Sequence, residues 1–456
     1  MRTKSMSQAY LEIQLPSSRT KEVRQYCETY RALDRILLDN PALLDLAHAD
    51  FVARLSESEE GRESRYTSEE LLRGVLLMFL EHDSYREAVV RIETSEFLRN
   101  FLRLGFYKPM PSFGFMCKAF CAVSEETWRA MNGVLGQYAR REEKITGERL
   151  RVDTTAYESN IHYPTDSSLL WDSYRVLARQ LQELQHSHPE LHLNHRYHTK
   201  KVKKLAQSIS RNAGSKRESK QRAVQGWYGT LLERVRRMVE IAKEVLLLPI
   251  SNLLDTFTLD HFVPLAERVI DQADRRIFQG EAVPADEKLY SIFEEHVELL
   301  IRGKAGKAVE FGHMVAVAQT GEKFISYYQS LPHREADPSL LPGCLEAHRA
   351  LFETNPSLLA GDKGFYEDMK QIAALEKDIQ TVSICKKGKL TEEQHAREHT
   401  QEFQQGQRFR AGVEGTISVL KRAFKMNLCR FKGIKHFAAS VGCAVFCYNL
   451  ILLTRL

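Results

Sequence analysis

The sequence predicts an α/β protein: a mixed central sheet flanked by helices, with an α-helical segment ahead of it and a helical insertion after its first strand. Three observations carry that expectation. Residues 1–148 are helical in pattern, with few strand signals. From residue 149 onward, short apolar strands alternate with helical periods. A long helical stretch, residues 165–303, parts the first strand from the rest without having to break the sheet. The corresponding units are a helical N-terminal domain (1–148), an α/β domain in two pieces (149–164 and 304–456), and the insertion (165–303).

The elements follow in order. "TSEELLRGVLLMFLEH" opens with Thr67 followed by Glu70, a capping box, and continues as a nearly all-round apolar run, so it reads as a buried helix. The segments on either side of Pro109 and Pro111 give further helices with Arg and Lys on their polar faces, a pattern suited to a helix-turn-helix-like DNA reader or to a plain bundle. In "GERLRVDTTAYESN", Leu150 and Val152 alternate with Arg149 and Arg151, predicting a strand that ends in the carboxylate of Asp153. The helical pattern then returns to about Gly303. "AVEFGHMVAVAQT" and "KFISYYQSLP" read as a hairpin, "SLLPGCLEAHRALFE" as a helix, and "SLLAGDKGFYED" as a short buried strand delivering Asp362. A helix, the strand "IQTVSICKK", a polar loop over residues 388–405 and the helix "FRAGVEGTISVLKRAF" complete the alternation.

Composition narrows the class. The 456 residues, 43% hydrophobic and 27% charged, are those of a folded chain with more than one core. The net charge is only +5, yet residues 196–222 hold ten Lys or Arg against one acid, Glu218, which points to an anionic partner. Lys200, Lys201, Lys203 and Lys204 lie within that run. The eight cysteines form no CxxC pair and read as free thiols of a reducing compartment. With no apolar h-region near the start, a cytoplasmic location is expected. The apolar C-terminal stretch is broken by Ser440 and Asn449 and reads as a helix packed on the sheet; no membrane partner is expected.

Three acids stand out by position: Asp153, Asp362 and Glu414. Carboxylates on adjacent strands and a facing helix suit hard divalent cations, Mg²⁺ or Mn²⁺, and two such ions suit an in-line phosphoryl displacement. Taken singly, each has a plainer account as a turn or helix cap. Other features carry less. The histidines His186, His188, His192, His195 and His198 lack regular ligand spacing. "RGKAGKAVE" lacks the phosphate-loop spacing, leaving Lys304 and Lys307 as DNA contacts or exposed hairpin residues. Asp166 and Asp172 read as helix caps, and Trp227 as core.

The segments "RVDTTAYESNIHYPTDSSLLWD", "RGKAGKAVEFGHMV", "LLAGDKGFY" and "FRAGVEGTISVLKRAFKMNLCRFKG" resemble the core segments of DDE-type transposases of bacterial insertion sequences. The likeness runs from about Gly147 to the C-terminus. In that family the glutamate motif is Tyr, two residues, Arg, three residues, Glu, six residues, Lys. Arg410, Glu414 and Lys421 fall at those spacings, and Gln407 stands where Tyr would be. The resemblance implies an RNase H-like catalytic domain with Asp153, Asp362 and Glu414 as catalytic ligands of two Mg²⁺ or Mn²⁺ ions. It implies Arg410 and Lys421 on the DNA backbone, terminal inverted repeats and target DNA as double-stranded partners, and a homodimer holding two ends at the nucleoid. An RNase H-like nuclease or resolvase without strand transfer, and a non-catalytic DNA-binding derivative, are the alternatives.

Overall fold

The computed structural model describes residues 2–5, 20–55, 64–105, 107–191, 195–248, 253–304 and 307–456. Two compact units emerge: Met1–Glu158 with His313–Leu456, and Ser159–Gly312.

Among the described residues, the first unit begins with seven helices: α1 (Lys21–Asp39), α2 (Ala42–Leu55), α3 (Ser68–Leu80), α4 (Tyr85–Glu93), α5 (Glu96–Phe101), α6 (Phe113–Ala122) and α7 (Glu125–Arg141). The expected capping box is formed at α3, with Thr67 and Glu70 satisfying each other's backbone N–H groups. Twelve of the thirteen α3 residues are buried, which explains the lack of a polar stripe. Strand β1 (Arg149–Ser159) follows.

The second unit holds α8 (Asp166–Ser187), α9 (Thr199–Asn212), α10 (Glu218–Leu246) and α11 (Leu253–Ile277), then β2 (Glu298–Lys304) and the start of β3 (Lys307–Thr320). Its core joins Leu177, Leu181, Leu232, Val235 and Ala266, and Trp227 packs against it. The expected helical run to about Gly303 is corrected at its end, because Glu298–Lys304 is a strand paired antiparallel to β3. "RGKAGKAVE" is therefore a hairpin, with Lys304 opposite Lys307. Asp166 and Asp172 are not caps either; the cap of α8 is Thr165. Both acids are buried, Asp166 meeting Arg276 at 2.9 Å and Asp172 meeting Arg175 at 2.7 Å.

Back in the first unit come β4 (Ile325–Ser330), α12 (Leu341–Phe352), β5 (Leu358–Gly361), α13 (Met369–Leu375), β6 (Thr381–Ile384), α14 (Glu392–Glu398), α15 (Gln401–Ala423), β7 (Leu428–Cys429) and α16 (Ile434–Leu453). The strands form one mixed sheet in the order β2-β3-β1-β5-β6, with β4 also on β3 and β7 on β1. The expected polar loop over 388–405 is corrected: it contains α14, capped by Thr391, and the first turn of α15, capped by Thr400. Polar residues there serve the caps, which a composition reading takes for a loop.

Alternation along the strands divides the core. Leu150, Val152, Ala316, Ala318 and Leu359 face α12 and α13. Val315, Val317 and Ile325 face the other way, into a core shared with the N-terminal helices, α15 and α16. Among the described residues, α16 is the one helix long and apolar enough to cross a membrane, and fifteen of its twenty residues are buried in this core. Its two interruptions are both used. Asn449 acts as a strand surrogate, accepting the Ile325 N–H at 3.0 Å and donating to the Ile325 carbonyl at 2.9 Å. Ser440 donates to the Phe437 carbonyl within the helix. All eight cysteines are free thiols.

Candidate active site

The sheet register places the first two acids. β1 pairs parallel with β5 through Arg149↔Leu358, Leu150↔Leu359 and Arg151↔Ala360, and the same register carried two residues on puts Asp153 level with Asp362. Asp153 does not end its strand, as expected from sequence; β1 runs on to Ser159, and it is the β5 partner that stops, at Gly361. There Asp362 turns the chain, its Oδ1 accepting the Gly364 N–H at 2.7 Å.

Helix α15 crosses the sheet from β6 to β3 and brings the third acid. Gly406 lies so close to β6 that a Cβ there would overlap the Ser383 side chain, so only glycine allows this approach. Gln407 Nε2 donates to the Ser383 carbonyl at 2.7 Å, with the Gly361 carbonyl at 3.4 Å. The residue in the family's tyrosine position thus pins the helix to two strand ends. Farther along, Arg151 of β1 donates to the Phe409 carbonyl at 2.7 Å and to Gln319 Oε1, while Gln319 Nε2 reaches Thr416 Oγ1 at 2.8 Å. A buried network therefore fixes the rotation of α15 on either side of Arg410 and Glu414.

Arg410 is where the acids meet. Its Nη2 is 3.3 Å from Asp153 Oδ2 and 4.0 Å from Asp362 Oδ2, and its Nη1 is 3.1 Å from Glu414 Oε1. Its Nε is buried with no hydrogen-bond partner. Asp153 is 7% exposed, and burial pushes its carboxyl up to about 6 despite the opposing pull of Arg410 and of the Thr154 N–H; Asp362 and Glu414 push it further up. Glu414 and Asp362 are more open to solvent.

Among the described residues, no three His, Cys, Asp or Glu side chains stand close enough together to enclose a metal ion. The three carboxylates instead share one guanidinium. Three negative groups against one fixed cation leave an excess of hard oxygen donors, a set whose chemistry fits Mg²⁺ or Mn²⁺.

The other predicted residues lie elsewhere. Lys421 is half-buried near the end of α15. Lys200, Lys201, Lys203 and Lys204 line the exposed side of α9 in the second unit, whose buried side is Val202, Ala206 and Ile209. Of the histidines, His192 lies outside the described residues, and His188 is 2.9 Å from Glu190. Sequence reasoning missed Arg151 and Thr154 in β1 and Asp337, whose Oδ1 accepts the Thr154 hydroxyl at 3.3 Å. The Leu-Arg-Val alternation gave a signal for Arg151, but one that reads as a solvent face.

Residues 370–454 match the family model of the transposase DDE domain. That match supports a DDE-type transposase. The matched segment contains Arg410, Glu414 and Lys421; Asp153 and Asp362 precede it. Neither the comparison with curated proteins nor that with solved structures gave a match.

Proposed function

We propose that this chain is a DDE-type transposase with an RNase H-like core that cuts DNA at the ends of its insertion sequence and joins the freed 3′-hydroxyls to target DNA. The observation that carries this reading is the meeting of Asp153, Asp362 and Glu414 at Arg410, on the helix that the family match covers.

In this reading Asp153, Asp362 and Glu414 hold two Mg²⁺ or Mn²⁺ ions, which when bound supply activation of the attacking oxygen and stabilisation of the leaving one. Water attacks the phosphorus at the element end and the bond to the 3′-oxygen breaks. The resulting 3′-hydroxyl then attacks a target phosphodiester, whose bond to its own 3′-oxygen breaks and leaves a target 3′-hydroxyl. Arg410 keeps the carboxylates from repelling one another before the DNA arrives, and its fork of donors then suits a backbone phosphate. Lys421 adds a second cation on the same helix. The α9 lysines and the N-terminal helices contribute sequence-independent affinity and end recognition, and a homodimer holds two ends together at the nucleoid.

The test is a short duplex carrying the element end, incubated with the full chain, Mg²⁺ and a target plasmid. Cutting followed by joining is expected. Asp153→Ala, Asp362→Ala and Glu414→Ala are each expected to bind the duplex and do neither. Cutting without joining would reduce the reading to a nuclease, and normal cutting by any one variant would remove that residue from the site.

A further inference from the structure

A fourth carboxylate closes on the same strand ends. Asp337 opens the short turn Asp337–Leu340 that leads into α12. Its Oδ1 accepts the hydroxyl of Thr154, the residue after Asp153. Its Oδ2 lies over the Cα of Gly364, the residue whose N–H holds Asp362. A Cβ added at Gly364 would overlap Asp337 Oδ2 and come within 2.7 Å of Asp362 Oδ1. Gly364 is thus a glycine because two carboxylates occupy the space a side chain would need.

This arrangement is costly. Asp337 is half-buried, and burial together with the charge of Asp362 pushes its carboxyl above the usual range. Its hydrogen-bond partner is a hydroxyl, which a neutral side chain could bind as well. What Asp337 supplies there is geometric: an acceptor for Thr154 on β1 and a side chain set against the Gly364 turn that holds Asp362.

We propose that Asp337 is a positioning residue for the metal-binding carboxylates: through Thr154 and the Gly364 turn it ties β1 to the end of β5 and sets how Asp153 and Asp362 stand relative to each other. The inference rests on the reading of those two acids as Mg²⁺ or Mn²⁺ ligands. Residues that orient ligands in this way typically change metal affinity by about 10- to 100-fold when removed.

The experiment is a Mn²⁺ titration of the full chain without DNA, with free Mn²⁺ read by electron paramagnetic resonance and folding checked by circular dichroism. Wild type is expected to bind Mn²⁺, and Asp337→Ala to bind it about 10-fold more weakly. Asp337→Asn, which keeps an acceptor for Thr154, is expected to recover most of that loss. Thr154→Val is expected to weaken binding, and the double variant Thr154→Val with Asp337→Ala to be no worse than Asp337→Ala alone. Affinity within about twofold of wild type in Asp337→Ala overturns the positioning role and leaves the three-acid reading standing. An Asp337→Asn variant as weak as Asp337→Ala assigns the effect to charge and overturns it too. Should Asp337→Ala not fold, an unchanged affinity in Thr154→Val decides against the proposal. A wild-type chain that binds no Mn²⁺ fails the reading of the acids, and the inference with it.

Discussion

Two sets of cations, one in the sheet-bearing unit and one on α9 of the inserted unit, are used in opposite ways. In the first, Arg151 is 4% exposed and spends its donors on Gln319 and the Phe409 carbonyl, while Arg410 is held among three acids. In the second, Lys200, Lys201, Lys203 and Lys204 stand exposed on α9, outside the apolar side that anchors the helix. A buried guanidinium has fixed partners and acts by placing other groups. An exposed ammonium is placed by nothing and answers to whatever anion approaches, in proportion to salt.

The comparison breaks most visibly at the acids. Asp153→Ala, Asp362→Ala and Glu414→Ala should abolish detectable strand cutting while a gel-shift assay shows DNA binding nearly unchanged, because the proposed function assigns affinity to phosphate contacts elsewhere. Loss of binding along with cutting would erase the division of labour between the units.

The next effect is on stability. The folded chain holds the Asp153 proton up to about pH 6, against 3.8 for the free group, so the folded state binds more protons than the unfolded one between those values. Without metal, stability is fully present at the low end of that window and falls as pH rises through it. Asp153→Asn should therefore be more stable than wild type at pH 7.5, by at most about 3 kcal/mol, with the difference gone below about pH 4. Thermal melts across pH read it; a pH-independent difference would mean that burial is not what burdens this carboxyl.

Arg151→Met sharpens the same point from the side of the cation. Gln319 and the Phe409 carbonyl lose a donor, and relief of the buried charge offsets part of the loss, for a net destabilisation of about 2 kcal/mol in chemical denaturation. Cutting should fall as well, since the rotation of α15 carries Glu414. Normal cutting in a destabilised variant would confine Arg151 to stability.

The smallest effect on stability belongs to α9. Replacing Lys200, Lys201, Lys203 and Lys204 with Gln should leave stability within about 0.5 kcal/mol. Each lysine that meets a phosphate should nevertheless lower the slope of log K against log salt by about 0.9. An unchanged slope would leave α9 as a solvated helix surface.

Much of this was legible in the sequence because it is local. Strand and helix periods, the Thr67 cap and the Arg410–Glu414–Lys421 spacing are all set within a turn or two of chain. The two aspartates were found because each follows a short apolar run. What escaped depends on distant packing. The arginine side of β1 looks solvated until Gly406 and Gly412 let α15 lie against it, and the Cβ missing from Gly412 leaves room for the Arg151 guanidinium. β2 and β7 are legible only through their partners. Asp337, standing before Pro338, looks like any helix-leading acid until Thr154 arrives from 183 residues away.

The packing of α16 bears on how the protein is made. Asn132 of α7 donates to the Gly442 carbonyl across 310 residues of chain, and Gly442 lies so close to Trp128 that no side chain fits. The leading helices therefore leave the ribosome without the apolar surface that completes them, and they must wait, exposed to chaperones and to one another, until α16 is translated. A reading frame interrupted before Ile434 would yield a sticky fragment destined for aggregation or proteolysis instead of a shortened DNA-binding competitor.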